Sequence, residues 1–201
     1  MAPEPCSGRS LVRPVPPPYD TDPALGALVV SEDELESRIA ELGRRITADY
    51  AERPPLLVGV LKGAFVFMSD LSRAIDLPVE FDFMAVASYG SATRTSGVVR
   101  IVKDLDLDLT GRHVLLVEDI VDSGLTLSYL RRNLLARSPA SLAVCSLLVR
   151  EGSDPELDLA YVGFHVPAEF VVGYGLDADE RYRNLPFVCL FAGQEEGGAG
   201  R

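Results

Sequence analysis

The segment Val114-Leu115-Leu116-Val117-Glu118-Asp119-Ile120-Val121-Asp122-Ser123-Gly124-Leu125-Thr126 restricts the possible folds more than any other part of this chain. Four consecutive apolar residues without alternation read as a strand covered on both faces, as in a parallel sheet held between helix layers. Acidic residues follow, then small and hydroxylated ones around a glycine, and Leu127, Leu130, Leu134 and Leu135 recur at helical spacing. Strand, ligand-sized loop and helix in succession put the polar residues beyond the carboxyl end of a strand, where open α/β sheets bind their ligands.

The remaining segments extend this pattern. Leu56 to Leu61 is a second apolar run, interrupted by Lys62-Gly63, with a helix predicted over 64–74. Val79 to Ser88 and Val98 to Val102 read as extended and flank a small polar loop, 89–97; Leu142 to Val149, Tyr161 to Phe164 and a shorter Phe170 to Gly175 supply further strands. Ser31 with Glu34 forms a capping-box pair ahead of Leu35, Ile39, Leu42 and Ile46, which predicts a first helix running to about Tyr50. The fold class is therefore α/β, with a mostly parallel central sheet flanked by helices. Prolines 3, 5, 14, 16, 17, 18 and 23 block regular backbone pairing and predict a disordered tail over 1–24. The glycine-rich end, 192–201, reads the same way, leaving one domain at 25–191.

Charge and cysteine content remove several classes of function. The 19 basic residues against 30 acidic give a net charge of −11, which opposes binding to nucleic acid. No apolar run approaches the ~20 residues that span a bilayer, so no membrane partner is expected and the chain reads as cytoplasmic. Cys6, Cys145 and Cys189 fit no zinc spacing, and His113 and His165 belong to no triad or metal pattern. GxxxxGK[ST] and GxGxxG are both absent, against triphosphate hydrolysis and dinucleotide binding.

The acidic motif has two chemical halves. Glu118 and Asp119 can accept hydrogen bonds from sugar hydroxyls and hold a hydrated Mg²⁺, which prefers hard oxygen ligands. Ser123, Gly124, Leu125 and Thr126 occupy a turn into a helix, where unpaired backbone N–H groups and the positive dipole end favour a phosphate. An ordinary cap would account for Asp122 or Ser123 alone, but not for two acids directly behind an apolar strand.

On these residues the chain resembles the type I phosphoribosyltransferases, through the phosphoribosyl-pyrophosphate motif Val114 to Thr126. From about Leu28 to Phe191 it is similar to the hypoxanthine-guanine branch of that family. The resemblance implies that fold with a small C-terminal hood, and transfer of phosphoribose to hypoxanthine or guanine, giving IMP or GMP and pyrophosphate with Mg²⁺. Glu118 and Asp119 would then bind ribose hydroxyls, directly or through metal, and Ser123 to Thr126 the 5′-phosphate. Asp122 becomes the general base towards purine N7. Lys62 and Gly63, with a cis peptide before the lysine, would face pyrophosphate together with Arg183. Ser88 and Tyr89 would begin a lid over the reacting centre. In the hood, Phe170 would stack on the purine, Val171 would use its backbone on the exocyclic position, and Asp177 would contact the base or a second Mg²⁺, making Glu118, Asp119 and Asp177 the metal-ligand set. A homodimer or homotetramer is implied as well.

One departure stands out: Arg150 occupies the place where the family has a lysine aimed at the purine 6-oxo group. The two cations are not interchangeable at a tight site, which leaves the preferred base open. Two alternatives follow: a sister transferase acting on xanthine or another 6-oxopurine, and a transferase-like regulator that binds RNA through a basic face.

Overall fold

A computed structural model describes residues 13–89, 98–153 and 158–193. The strands are β1 Leu25–Val30, β2 Leu56–Leu61, β3 Glu80–Tyr89, β4 Val98–Lys103, β5 His113–Val121, β6 Ser141–Arg150, β7 Tyr161–Val166, β8 Val171–Val172 and β9 Val188–Phe191. The helices are α1 Glu32–Asp49, α2 Ala64–Ala74 and α3 Leu125–Leu135, with a single 3₁₀ turn at Tyr19–Thr21.

Six strands form the main sheet in the order β4-β3-β2-β5-β6-β7, parallel throughout except for the β3–β4 pair. Both faces are covered, as the unbroken apolar runs predict. Leu115 and Val117 of β5 pack with Leu42, Ile46, Phe67 and Leu71 of α1 and α2, while Val114 and Leu116 pack with Leu127, Leu130 and Leu134 of α3. The alternation within one strand sends successive side chains into two different cores. Leu135, read as part of the buried stripe, is 51% exposed.

β2 and β5 are neighbours, yet the chain after β2 proceeds to one side of the sheet and the chain after β5 to the other. This reversal of strand order opens a crevice between the two departing loops. Helix α1 begins with the anticipated capping box: Ser31 N–H donates to Glu34 at 2.8 Å and the Ser31 hydroxyl accepts from Glu34 N–H at 3.4 Å.

The hood is a separate antiparallel sheet, β1-β9-β8, over a third core that includes Val172, Leu185, Phe187 and Cys189. Here the structure corrects two expectations. Of the tail expected over 1–24, the stretch 13–24 is mostly exposed but anchored to the hood: Val15 is 6% exposed, Tyr19 meets Phe187 edge-on at 5.5 Å, and Leu28 N–H donates to Arg13 O at 2.7 Å. Proline prevents ladder bonding but leaves its neighbours' side chains free to pack, and its fixed φ reduces the entropy lost in doing so. The strand expected over Phe170 to Gly175 shrinks to Val171–Val172, because Gly173, Tyr174 and Gly175 all take positive φ and turn the chain. Ala192 N–H donates to Ala24 O at 2.8 Å, so the first described residues of the expected C-terminal tail also pair, and 194–201 lie outside the described residues. Cys145 and Cys189 are free and buried, which raises their thiols to about 12 and about 11. Among the described residues no helix is long and apolar enough to cross a membrane.

Candidate active site

Strand β5 does not stop at Val117. It pairs with β2 only as far as Gly59↔Val117, but with β6 as far as Val121↔Val149. Glu118 and Asp119, expected in a loop, are therefore strand residues, held by hydrogen bonds on the β6 side and open on the other towards the turn after β2. Glu118 is 6% exposed, and burial pushes its carboxyl well above the usual carboxylate range, with the adjacent Asp119 charge adding to the effect. Asp119 keeps some contact with solvent, yet burial raises its carboxyl too, against the opposing pull of the Ile120 N–H and Arg183.

Beyond the strand, Gly124 takes φ 78° and starts α3 without a side-chain cap. The first intrahelical bond is Ser128 N–H to Gly124 O at 2.9 Å, so the amides of the first turn have no helical partner. Leu125 is 63% exposed; what it offers this turn is backbone, not side chain.

The turn after β2 approaches from the far side of the crevice. The Leu61–Lys62 peptide is cis, and the Lys62 ammonium reaches Glu180 at 2.9 Å. Glu180 also meets Arg183 at 3.2 Å, and Arg183 in turn binds Asp177 at 2.8 Å and donates to Gly175 O at 2.8 Å. Arg183 Nε is buried without a partner. Asp177 also accepts from Glu180 N–H at 2.8 Å. Sequence reading gave Glu180 no role; its only signal was its place three residues before Arg183.

A cavity of about 470 Å³ gathers Glu118, Asp119, Asp122, Ser123, Gly124 and Thr126 from one wall, and Lys62, Gly63, Asp177 and Arg183 from the other. A larger one, about 680 Å³, lies between α1, α2 and the turn before β9, but shares only Arg183 with these residues and has no strand-end acids. The smaller cavity is the one with the chemistry. Arg150, Phe170 and Val171 do not line it. Arg150 donates to Ala168 O at 2.9 Å, and its Nε, buried without a hydrogen bond, stands 3.6 Å from Asp122. Phe170 is 38% exposed and edge-on to Phe191 at 5.9 Å; Val171 is buried in β8 opposite Leu190. Ser88 and Tyr89 end β3, where the backbone pairs with Val99 and Val98, but their side chains and the loop 90–97 lie outside the described residues. Lys103, the last residue of β4, donates to Phe83 O and Asp104 O at 2.9 Å, tying the base of the β3–β4 pair.

Buried acids beside an uncapped helix start, at the point where strand order reverses, suit a ligand with both hydroxyls and a phosphate on this α/β fold. Comparison with known proteins narrows that class. Residues 31–179 match the phosphoribosyl transferase domain family. A hypoxanthine-guanine phosphoribosyltransferase of Mycobacterium avium is 55% identical over 169 residues, covering 81% of this chain and 83% of its own length. That of Bacillus subtilis is 49% identical over 162 residues, covering 80% and 90%. The crystal structure of a hypoxanthine-guanine phosphoribosyltransferase from Bacillus anthracis superposes with a TM-score of 0.78 at 42% identity, covering 83% of this chain and 98% of its own. This chain belongs to the phosphoribosyltransferase family, within its hypoxanthine-guanine branch.

Proposed function

We propose that this protein is a purine-salvage enzyme of the cytoplasm that transfers phosphoribose from phosphoribosyl pyrophosphate to N9 of hypoxanthine and guanine, releasing pyrophosphate. The observation that carries the reading is the buried Glu118–Asp119 pair beside the uncapped start of α3, in a chain 55% identical to an enzyme of that name.

Each part of the substrate has a wall. The first-turn amides at Ser123 to Thr126 take the 5′-phosphate. Glu118 and Asp119 accept from the ribose 2′- and 3′-hydroxyls, replacing the water they lose by burial. Lys62, the backbone at Gly63, and Arg183 face the pyrophosphate; Lys62 pairs with Glu180 and Arg183 with Asp177, which orients both cations. The C1′–O bond to pyrophosphate breaks with the electron pair leaving on oxygen, C1′ gains oxocarbenium character, and N9 forms the new bond. Asp122, whose side chain is 70% exposed and stands 3.6 Å from Arg150, accepts the purine N7 proton. Phe170 stacks on the base, Val171 offers backbone groups, and Arg150 donates to the 6-oxo oxygen. Ser88 and Tyr89 begin the segment that excludes water from the reacting centre.

Among the described residues no three acidic, histidine or cysteine side chains converge into a metal cage. Mg²⁺ does not need one, because it binds through one or two carboxylates plus substrate oxygens and waters. Glu118 and Asp119 fit that demand as buried carboxylates short of positive charge, and Asp177 fits once Arg183 turns to pyrophosphate. When bound, the ion would neutralise the leaving group's charge. A homodimer or homotetramer follows from the family resemblance and is checked by sedimentation.

The test is pyrophosphate release with hypoxanthine, guanine, xanthine or adenine in parallel, comparing wild type with Asp122→Asn. Turnover with hypoxanthine or guanine that falls steeply in the variant is the expected result; none with any purine overturns the reading. A xanthine preference is the second reading, favoured by Arg150 standing 3.6 Å from Asp122, and the same assay separates the two.

A further inference from the structure

Gly63 caps α2 with φ −60° and ψ −42°, right-handed backbone that any residue accepts. Conformation gives no reason for glycine there; alanine would restrict the unfolded chain and stabilise the fold. Space gives the reason. A Cβ on Gly63 would stand 1.6 Å from Asp119 Oδ2 and 2.5 Å from its Cγ. On its other side the residue lies close against the hood turn, its carbonyl oxygen 2.2 Å from where a Cβ on Gly175 would be. The Gly63 peptide is thus wedged between the acid of β5 and the turn of the hood, and a side chain at 63 must displace the Asp119 carboxylate.

We infer that Gly63 is a positioning residue for Asp119: its missing side chain is the slot that holds the Asp119 carboxylate at the angle the ribose hydroxyls require. This role is separate from any contact of the Gly63 backbone with pyrophosphate, and it rests on the phosphoribosyl-transfer reading above. The strand supports it, because β5 is hydrogen-bonded to β6 through Val121 and fixes the Asp119 backbone, leaving only the carboxylate to move.

A double-mutant cycle of Gly63→Ala and Asp119→Ala tests this with two readouts. In thermal unfolding without substrate, Gly63→Ala should raise Tm more, or lower it less, in the Asp119→Ala background than in wild type, because the obstructing carboxylate is gone. If Gly63→Ala alone does not fold, the double variant should. In turnover, Gly63→Ala should lower kcat/KM for phosphoribosyl pyrophosphate about 10²-fold, as misplacing a catalytic group by about 1 Å does, and should cost nothing further when added to Asp119→Ala. Additive Tm changes overturn the slot. Independent, multiplicative losses of activity, or full activity in Gly63→Ala, overturn the positioning role. A wild type that turns over no purine overturns the phosphoribosyl-transfer reading instead, and leaves the stability cycle to decide the slot on its own.

Discussion

The two ends of the proposed substrate site are built on different principles. The phosphate and ribose end sits on β5, a strand in the middle of the six-stranded sheet, with each acid one residue from a fully buried apolar side chain or a paired backbone group. The purine end hangs on a three-stranded sheet whose central turn runs through Gly173, Tyr174 and Gly175 at positive φ, tied back to the body by the Tyr174 hydroxyl donating to Asp70 on α2. Groups that must meet charge building up at C1′ are fixed by the main core. Two groups that would choose among similar bases, Phe170 and Val171, are carried by this smaller sheet, whereas Arg150 ends β6 of the main sheet, where a changed side chain alters the contact to the base and leaves the backbone pairing with β7 as it is.

This contrast predicts that variants at the first end lose rate with every purine, whereas variants at the second redistribute preference. The largest loss should come from Asp122→Asn, about 10²–10⁴-fold in kcat for hypoxanthine and guanine alike, read by pyrophosphate release. A base-dependent loss would move Asp122 to the purine end and break the comparison. Phe170→Ala should raise KM for the purine about tenfold through lost stacking, with KM for phosphoribosyl pyrophosphate and Tm nearly unchanged. Arg150→Lys should shift the hypoxanthine-to-xanthine ratio of kcat/KM by a few-fold, measured by competition, with little change in the summed rate.

The smallest effect is on stability and has opposite signs at two acids. Glu118 is held above its unfolded value, so its contribution is fully present at low pH and is lost as pH rises from about the unfolded carboxylate value through the folded one. Glu118→Gln should therefore raise Tm at neutral pH, by about 2–4 °C for each kcal/mol relieved, and flatten the decline of Tm with pH in calorimetry. Glu34, lowered to about 2 by the Arg13 guanidinium and the Ser31 groups, works the other way. Its contribution is present above the ordinary carboxylate range and is lost as pH falls towards 2, though solvent at this exposed pair keeps it small.

The same contrast decided what the sequence revealed. The parallel strands and all three helices were legible because apolar runs and 3.6-residue spacing are local signals, and Ser31 with Glu34 marked the start of α1 within one residue. β1 and β9 were not, because each is a short hood strand, their pairing carries register shifts, and neither strand's burial alternates cleanly. The acidic motif was recognised and its turn into α3 stands, but Glu118 and Asp119 lie in the strand and not in the loop: nothing in Glu118-Asp119 says that β6 continues to pair alongside them. Glu180 was invisible as a partner of Lys62, since a contact across 118 residues of chain leaves no local trace. The wedge at Gly63 had the same cause, a glycine whose own backbone needs none.

β1 is the first strand and β9 the last, and they pair directly, Leu25 opposite Phe191 and Val30 opposite Val188. The hood sheet therefore needs residues from both ends of the described chain and cannot close until β9 has been made, after every strand of the main sheet. The same adjacency, with Ala192 bonded to Ala24, makes residues 24 and 192 points that could be joined, and the chain reopened elsewhere, with the hood intact.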